Sequence, residues 1–145
     1  MKPEHFVKLE NMYLAAPLNQ PQKGKTIEIA EGVCEISLPM QEKFFHAAGA
    51  LHGSYYFSLM DDSAFFAVNS LVEDVFVLTS SFHIHLLRPV MGGTLKAEGK
   101  VTFRSRNLFV AEAHVFNEAG KEVGHGSGNF MKSGLKLEDV AAYRL

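Results

Sequence analysis

A single cysteine, Cys34, stands in the whole chain. Neither an intramolecular disulfide nor a cysteine-based zinc site can be built from it, and a reducing, cytoplasmic setting is the expectation. Charge of one sign is equally scarce. There are 14 Lys and Arg against 16 Asp and Glu, a formal net charge of −2 at pH 7, which offers no strong long-range attraction to nucleic acid or to an acidic membrane surface. The first twenty residues interleave Lys2, Glu4, Lys8 and Glu10 with Phe6, Leu9 and Tyr13, unlike a signal-peptide core or a transmembrane span. No internal repeat, low-complexity tract or interdomain linker interrupts the 145 residues, so one ordinary domain over residues 1–145 is expected.

What is present reads as one amphipathic helix, then a hairpin, a buried helix and four strands. Phe6, Leu9 and Tyr13 share one helical face over residues 3–15, and Pro17 and Pro21 end the helix. Period-two runs over residues 26–30 and 33–38 predict a hairpin turning at Glu31-Gly32, with Cys34, Ile36 and Leu38 on one buried face. Cys34 is then a small core residue rather than a reactive thiol. Residues 75–88, rich in β-branched and aromatic side chains, predict a long strand. Strands at 94–104, 108–117 and 122–131 follow as an antiparallel meander, with turn residues at each junction. Residues 135–145 are expected to add a short helix.

The informative stretch is residues 46–72. From His52 onward it holds no Lys, Arg or Glu, and Tyr55, Phe57, Leu59, Met60, Phe65, Phe66 and Val68 point all around a helical cylinder. Such a helix must be enclosed. An α+β fold, with a curved antiparallel sheet wrapped around this long central helix, is the economical solution.

Asp61 and Asp62 interrupt that apolar helix. A polar group buried there without a partner costs about 2 to 7 kcal/mol, so each acid needs compensation or a task. Consecutive helical residues point about 100° apart, and the two cannot share one direction. The plain alternative has Asp62 capping a turn and Asp61 bonded to a backbone amide. Upstream, Gly49 and His52-Gly53 mark the helix start, where free amides and the positive dipole end can hold an oxyanion. An amide terminus and a carboxylate together suit acyl transfer: one polarises a carbonyl, the other activates water or attacks. Eight residues separate Gly53 from Asp61, roughly 12 Å along one helix. A two-fold axis setting two helices antiparallel would bring Asp61 of one chain near Gly53 of the other, so a homodimer is expected.

The ordered set His46-x-x-Gly49-x-x-His52-Gly53-Ser54, then Asp61, then Leu87-Arg88-Pro89 resembles the PaaI-like branch of the hotdog-fold acyl-CoA thioesterases. The resemblance spans about residues 46–131. It implies the hotdog fold, a homodimer or a dimer of dimers, and hydrolysis of an acyl-CoA substrate to free acid and CoA with no metal or cofactor. It assigns the thioester oxygen to the Gly53 amide and makes Asp61 of the opposing subunit general base or nucleophile. His52 would shape the turn into the helix. A hydroxyl residue is expected to face the acid, with Thr79 the nearest match and Ser80 and Ser81 the alternatives should the register slip. The family pattern carries Asn in place of His46 and a second Gly in place of Ser54. His46 could still donate a hydrogen bond in one tautomer and would add pH dependence near neutrality. Gly49 and Ser54 fall in the same substrate-binding turn.

Other residues are candidates on weaker grounds. Arg88, Lys100, Arg104 and Arg106 could hold the phosphates of CoA. Tyr55, Tyr56, Phe57 and Phe82 could line an apolar tunnel for an aromatic or medium-chain acyl group. His83 and His85 share one strand face at metal-ligand spacing, but with no third ligand evident they read as surface or interface histidines. The glycines of residues 124–128 (GHGSG) lack the strand-to-helix context of a phosphate loop and predict a bulge or close packing.

Overall fold

The computed structural model describes residues 1–20 and 22–145, so the expected role of Pro21 in ending the first helix lies outside the described residues. Helix α1 spans Glu4–Ala15. It stops where Ala16 turns extended (ψ 133°) ahead of Pro17, the conformation a following proline favours. Its buried face is His5, Leu9, Met12 and Tyr13; Phe6 sits at the margin. Strands β1 (Thr26–Ala30) and β2 (Val33–Pro39) form the hairpin at Glu31-Gly32, with Gly32 at φ +73° as the turn requires. Helix α2 covers Gly53–Asn69, followed by β3 (Val75–Leu86), β4 (Thr94–Arg104), β5 (Leu108–Phe116) and β6 (Glu122–Lys136).

All pairings are antiparallel, and the six strands lie in the order β1-β2-β4-β5-β6-β3. Helix α2 crosses the concave face, touching β2, β3, β4, β5 and β6. This is the α+β layout expected from the sequence; the sheet curves around the helix without closing on itself. Because α2 intervenes between β2 and β3, the chain delivers β3 to the far edge rather than beside β2.

Small residues let the helix approach. Gly99 on β4 pairs with Ala113 on β5, which pairs with Gly126 on β6, so a strip of missing side-chain bulk crosses the concave face. A Cβ on Gly99 would lie 2.2 Å from the Ser63 carbonyl oxygen of α2. The glycines of residues 124–128 have a related purpose: Cβ atoms on Gly126 and Gly128 would collide with the Phe82 ring at 2.8 and 2.4 Å. Close packing, one of the two expected roles for this run, is thereby observed.

Three expectations need correction. The last strand continues to Lys136 instead of ending near 131, because β3 offers partners beyond Met131, Val77 opposite Lys132 and Val75 opposite Lys136. The tail forms no α-helix. Leu135 and Lys136 belong to β6, a single 3-10 turn covers Leu137–Asp139, and the end is tied to α1 through Tyr143 and His5 Nδ1 (2.6 Å) and Asn11 donating to the Arg144 carbonyl (2.8 Å). Helix α2 is also incompletely enclosed. Its C-terminal half is buried, but Phe57 near its start is 39% exposed, since the open sheet leaves that flank bare.

Gly99→Ala places a methyl against helix backbone that cannot rotate away, so it should lower stability by about 3 kcal/mol; a urea denaturation curve with an unchanged midpoint would refute this packing account.

Candidate active site

Asp61 and Asp62 follow one another on α2 and face different neighbours. Thr79 Oγ1 on β3 donates to Asp61 Oδ1 at 2.7 Å. Asp61 is half-buried, and burial raises its pKa above the ordinary carboxylate value while the Thr79 hydrogen bond pulls it back. Of the three hydroxyl candidates, Thr79 is thus the one against the acid. The strand does carry an irregularity there: Thr79 pairs with Phe130 and Ser81 with Asn129, leaving Ser80 as the extra residue of a bulge. Ser80 Oγ donates to the Asn129 carbonyl at 3.1 Å, and Ser81 Oγ accepts from Asn129 Nδ2 at 2.9 Å, so both are engaged away from Asp61.

Asp62 does not cap a turn. Its carboxylate accepts from the Tyr13 hydroxyl of α1 at 2.9 Å, a partnership that spans 49 positions and has no local sequence signal. The residue as a whole is half-buried, but its carboxyl is enclosed, and its pKa is pushed up to about 6 by burial. The Lys25 charge and hydrogen bonds from Tyr13 and Ser58 oppose that rise, and Asp61 adds to it. The Lys25 ammonium donates to Asn19 Oδ1 (2.9 Å) and Gln22 Oε1 (2.6 Å) and lies 4.8 Å from the Tyr13 ring centre. Burial lowers the Lys25 pKa, with Asp62 opposing, and burial with the Asp62 charge raises that of Tyr13.

The start of α2 is shaped by His52. It is the N-cap, and its Nδ1 accepts from the Ser54 amide at 3.0 Å, with the Ser54 hydroxyl 2.8 Å away. A neutral His52 ring therefore carries its proton on Nε2. The Tyr55 amide bonds the His52 carbonyl, which leaves the Gly53 amide as the helix donor without an acceptor among the described residues. Leu86, at the end of β3, packs there: a Cβ on Gly53 would sit 3.1 Å from Leu86 Cδ1. His46 is exposed, its Nδ1 accepting from the Ala48 amide at 3.1 Å, in a turn closed by Gly49 at φ +86°.

The basic candidates do not converge within one protomer. Arg88 lies beyond Leu86 and donates to the Glu122 carbonyl at 2.6 Å. Arg104 pairs with Phe109, level with Phe130 and Thr79, and Arg106 is in the following turn, roughly 20 Å away along the strands. Lys100 lies opposite Glu112 on β5. The histidines form a row on the outer sheet face, with His85 opposite His125 and His125 opposite His114. The His83 and His85 ring centres are 4.8 Å apart. Among the described residues no His, Cys, Asp or Glu group is arranged to hold a metal ion.

None of the aromatic residues expected to line a tunnel borders the cavity at Asp61 and Thr79. Tyr55 stacks on Phe44, Tyr56 donates to the Arg88 carbonyl, and Phe57 and Phe82 meet edge to face. The cavity that reaches Asp61 and Thr79 runs instead between α1, α2 and β3, past Phe65, Phe76 and Leu78. A period-based reading of α2 alone misses it because α1 supplies one wall.

Residues 48–124 match the model of the Thioesterase superfamily, more than half of the chain, and the protein belongs to that family. The solved structures bear out its hotdog fold. The PaaI protein of Escherichia coli, from the phenylacetic acid degradation operon, superposes with a TM-score of 0.80 at 24% identity, covering 91% of this chain and 98% of that one. The conserved protein PA5202 of Pseudomonas aeruginosa gives 0.76 at 28% identity over 83% of this chain and 96% of that one. The thioesterase HI1161 of Haemophilus influenzae gives 0.76 at 20% identity over 86% and 88%. A protein of Saccharolobus solfataricus named as an esterase is 24% identical over 90 residues, 62% of this chain and 60% of the relative's length.

The Asp62 pKa of about 6 makes a signed prediction. A carboxyl raised above its unfolded value of about 3.9 is protonated more in the native state, so its contribution falls as pH rises from about 4 to about 6. Asp62→Asn should remove that slope, on the order of 2 kcal/mol, from stability measured by denaturant titration across this range. A variant that keeps the slope would show that another group carries it.

Proposed function

We propose that the protein is an acyl-CoA thioesterase that works as a homodimer, with Asp61 of one subunit and Gly53 of the other completing each site. The observation that carries this reading is the Asp61–Thr79 hydrogen bond (2.7 Å): an ionisable carboxyl, held by one donor, on the wall of a cavity in a chain of the thioesterase superfamily.

The dimer is supported by the sheet edges. One edge is β1, of 5 residues; the other is β3, of 12 residues, without Pro or Lys, and with Leu78 and Leu86 about half exposed (52% and 50%). A long apolar edge of this kind is a template for pairing. Along β3, Thr79 marks Asp61 and Leu86 marks Gly53. Antiparallel pairing of β3 with its own copy turns the Thr79 end of one strand toward the Leu86 end of the other. Asp61 thereby approaches the opposing Gly53, which the roughly 12 Å between them forbids within one helix.

In such a site the Gly53 amide, with the α2 dipole behind it, stabilises the oxyanion that develops on the thioester oxygen. The Asp61 carboxylate either takes a proton from attacking water or attacks the carbonyl carbon itself, giving an anhydride that water then opens. In both routes the C–S bond breaks, the thiolate leaves and is protonated to CoA, and the acyl group departs as the free acid. Thr79 positions the carboxylate. His52 and Ser54 fix the first turn, so that Gly53 points outward; His46 and Gly49 shape the loop before it. Arg88 lies at the Gly53 end, where a cation can meet CoA phosphate.

Free-thiol release from a panel of acyl-CoAs tests the reaction. Asp61→Asn should retain the fold and lose about 100-fold or more of kcat. Thr79→Ala should lose less. Binding of acyl-CoA without turnover by the wild type would identify a sensing module instead. Ser81→Arg, near the middle of β3, would bring a like charge from each subunit close to the two-fold. Sedimentation should show it monomeric and a thiol assay should show it inactive, while an active monomer would defeat the composite site.

A further inference from the structure

Alongside Asp61, the cavity between α1, α2 and β3 has a volume of about 300 Å³ and is lined by Met12, Ala16, Leu18, Phe65, Phe76 and Leu78. We propose that it is the acyl subsite, that it takes an uncharged, apolar acyl group of limited size, and that Met12, Ala16 and Leu18 set the length it accepts. This rests on the thioesterase reading for its chemistry, but its walls are argued on their own. Asp61 and Thr79 lie at one side of the cavity, where a thioester carbonyl would meet the carboxylate.

The interior favours apolar ligands. Its floor is polar by composition, with Tyr13, Asp62 and Asn19, yet those groups are already paired. Tyr13 donates to Asp62, Asn19 Nδ2 donates to the Tyr13 carbonyl at 2.7 Å, and Asn19 Oδ1 accepts from Lys25. The donors of Tyr13 and Thr79 and the Asn19 amide are engaged by these neighbours, so a hydroxyl on the acyl group would have to displace one of these bonds to accept from them. An acyl group with a distal carboxylate would meet two acids, Asp61 and Asp62. Size follows from volume. At about 30 Å³ for each water-sized group, 300 Å³ holds roughly ten heavy atoms, an octanoyl chain or a single ring.

The wall supplied by α1 is preformed. The Tyr13–Asp62 hydrogen bond, the Tyr13–Phe66 edge contact at 5.1 Å and His5 Nε2 against the Asn69 carbonyl at 2.8 Å fix α1 on α2. Residues 12, 16 and 18 also lie outside the stretch 48–124 that matches the family model. The selectivity proposed is therefore set by residues outside that matched stretch.

The test pairs hydrolysis with binding over butanoyl-, octanoyl-, dodecanoyl- and succinyl-CoA. Hydrolysis by the wild type reads the thioesterase proposal. Calorimetric binding to Asp61→Asn protein, which removes turnover, reads the subsite. On that background Ala16→Phe should weaken octanoyl-CoA binding about tenfold or more and leave butanoyl-CoA unchanged, and Met12→Ala should strengthen dodecanoyl-CoA relative to octanoyl-CoA by a similar factor. Leu18→Trp, at an exposed rim position, repeats the blocking test without burden on the fold. Length-dependent binding without hydrolysis would leave the subsite standing and remove the enzyme. Hydrolysis with the same length profile in every folded variant, or binding of succinyl-CoA as tight as that of butanoyl-CoA, would overturn the subsite.

Discussion

Two adjacent carboxyls on an otherwise apolar helix impose the constraint from which the architecture follows. Neither can be left bare, and the helical repeat aims them about 100° apart. Asp61 finds the Thr79 hydroxyl on β3; Asp62 finds the Tyr13 hydroxyl on α1. Those two bonds fix the rotation of α2 about its axis and place β3 and α1 on neighbouring flanks. The cavity between them is the wedge that this angle opens. One acid therefore borders both the cavity and the sheet edge, while the other anchors the helix that forms the cavity's outer wall.

The strip of small residues across the sheet acts with that constraint. With Gly99, Ala113 and Gly126 in register, α2 settles against strand backbone at Ser63 and Ala64, one residue past Asp62. Depth at that point seals the C-terminal half of the helix and leaves the first turns lifted toward the β3 edge. The amide at Gly53 remains accessible for the same reason that Phe57 remains exposed. A helix buried evenly along its length would have hidden its own N-terminus, and with it the proposed oxyanion donor.

Most of the fold was legible because its signals are local. Period-two burial marked β1, β2, β4 and β5 nearly residue by residue, and the turn at Glu31-Gly32 and the start of α2 at His52-Gly53 are announced by glycine and by a capping side chain. The pairing of Thr79 with Asp61 was reachable from the resemblance, since strand alternation admits few hydroxyls. What escaped is non-local. The extension of β6 depends on β3 being long enough to pair with it. The Asp62–Tyr13 bond and the cavity wall depend on where α1 docks, which no periodicity within α1 specifies. The arginines looked like one group in the chain because position along a strand is not separation in space: Arg88 and Arg104 stand at opposite ends of the sheet.

Lys25 favours the ionised form of Asp62. Burial pushes its carboxyl up to about 6, and the Lys25 ammonium, 4.8 Å from the Tyr13 ring centre, opposes that rise together with the Tyr13 and Ser58 hydrogen bonds. An ammonium near an enclosed carboxylate, without direct contact, returns little net stability. Its gain is positional, because Lys25, Tyr13 and Asp62 are satisfied together only when α1 sits in one register on α2. Asp61, the acid proposed to react, and the cavity wall proposed to select thus come from separate pieces of chain, and their alignment is set one residue from Asp61, by the Asp62 bond to Tyr13.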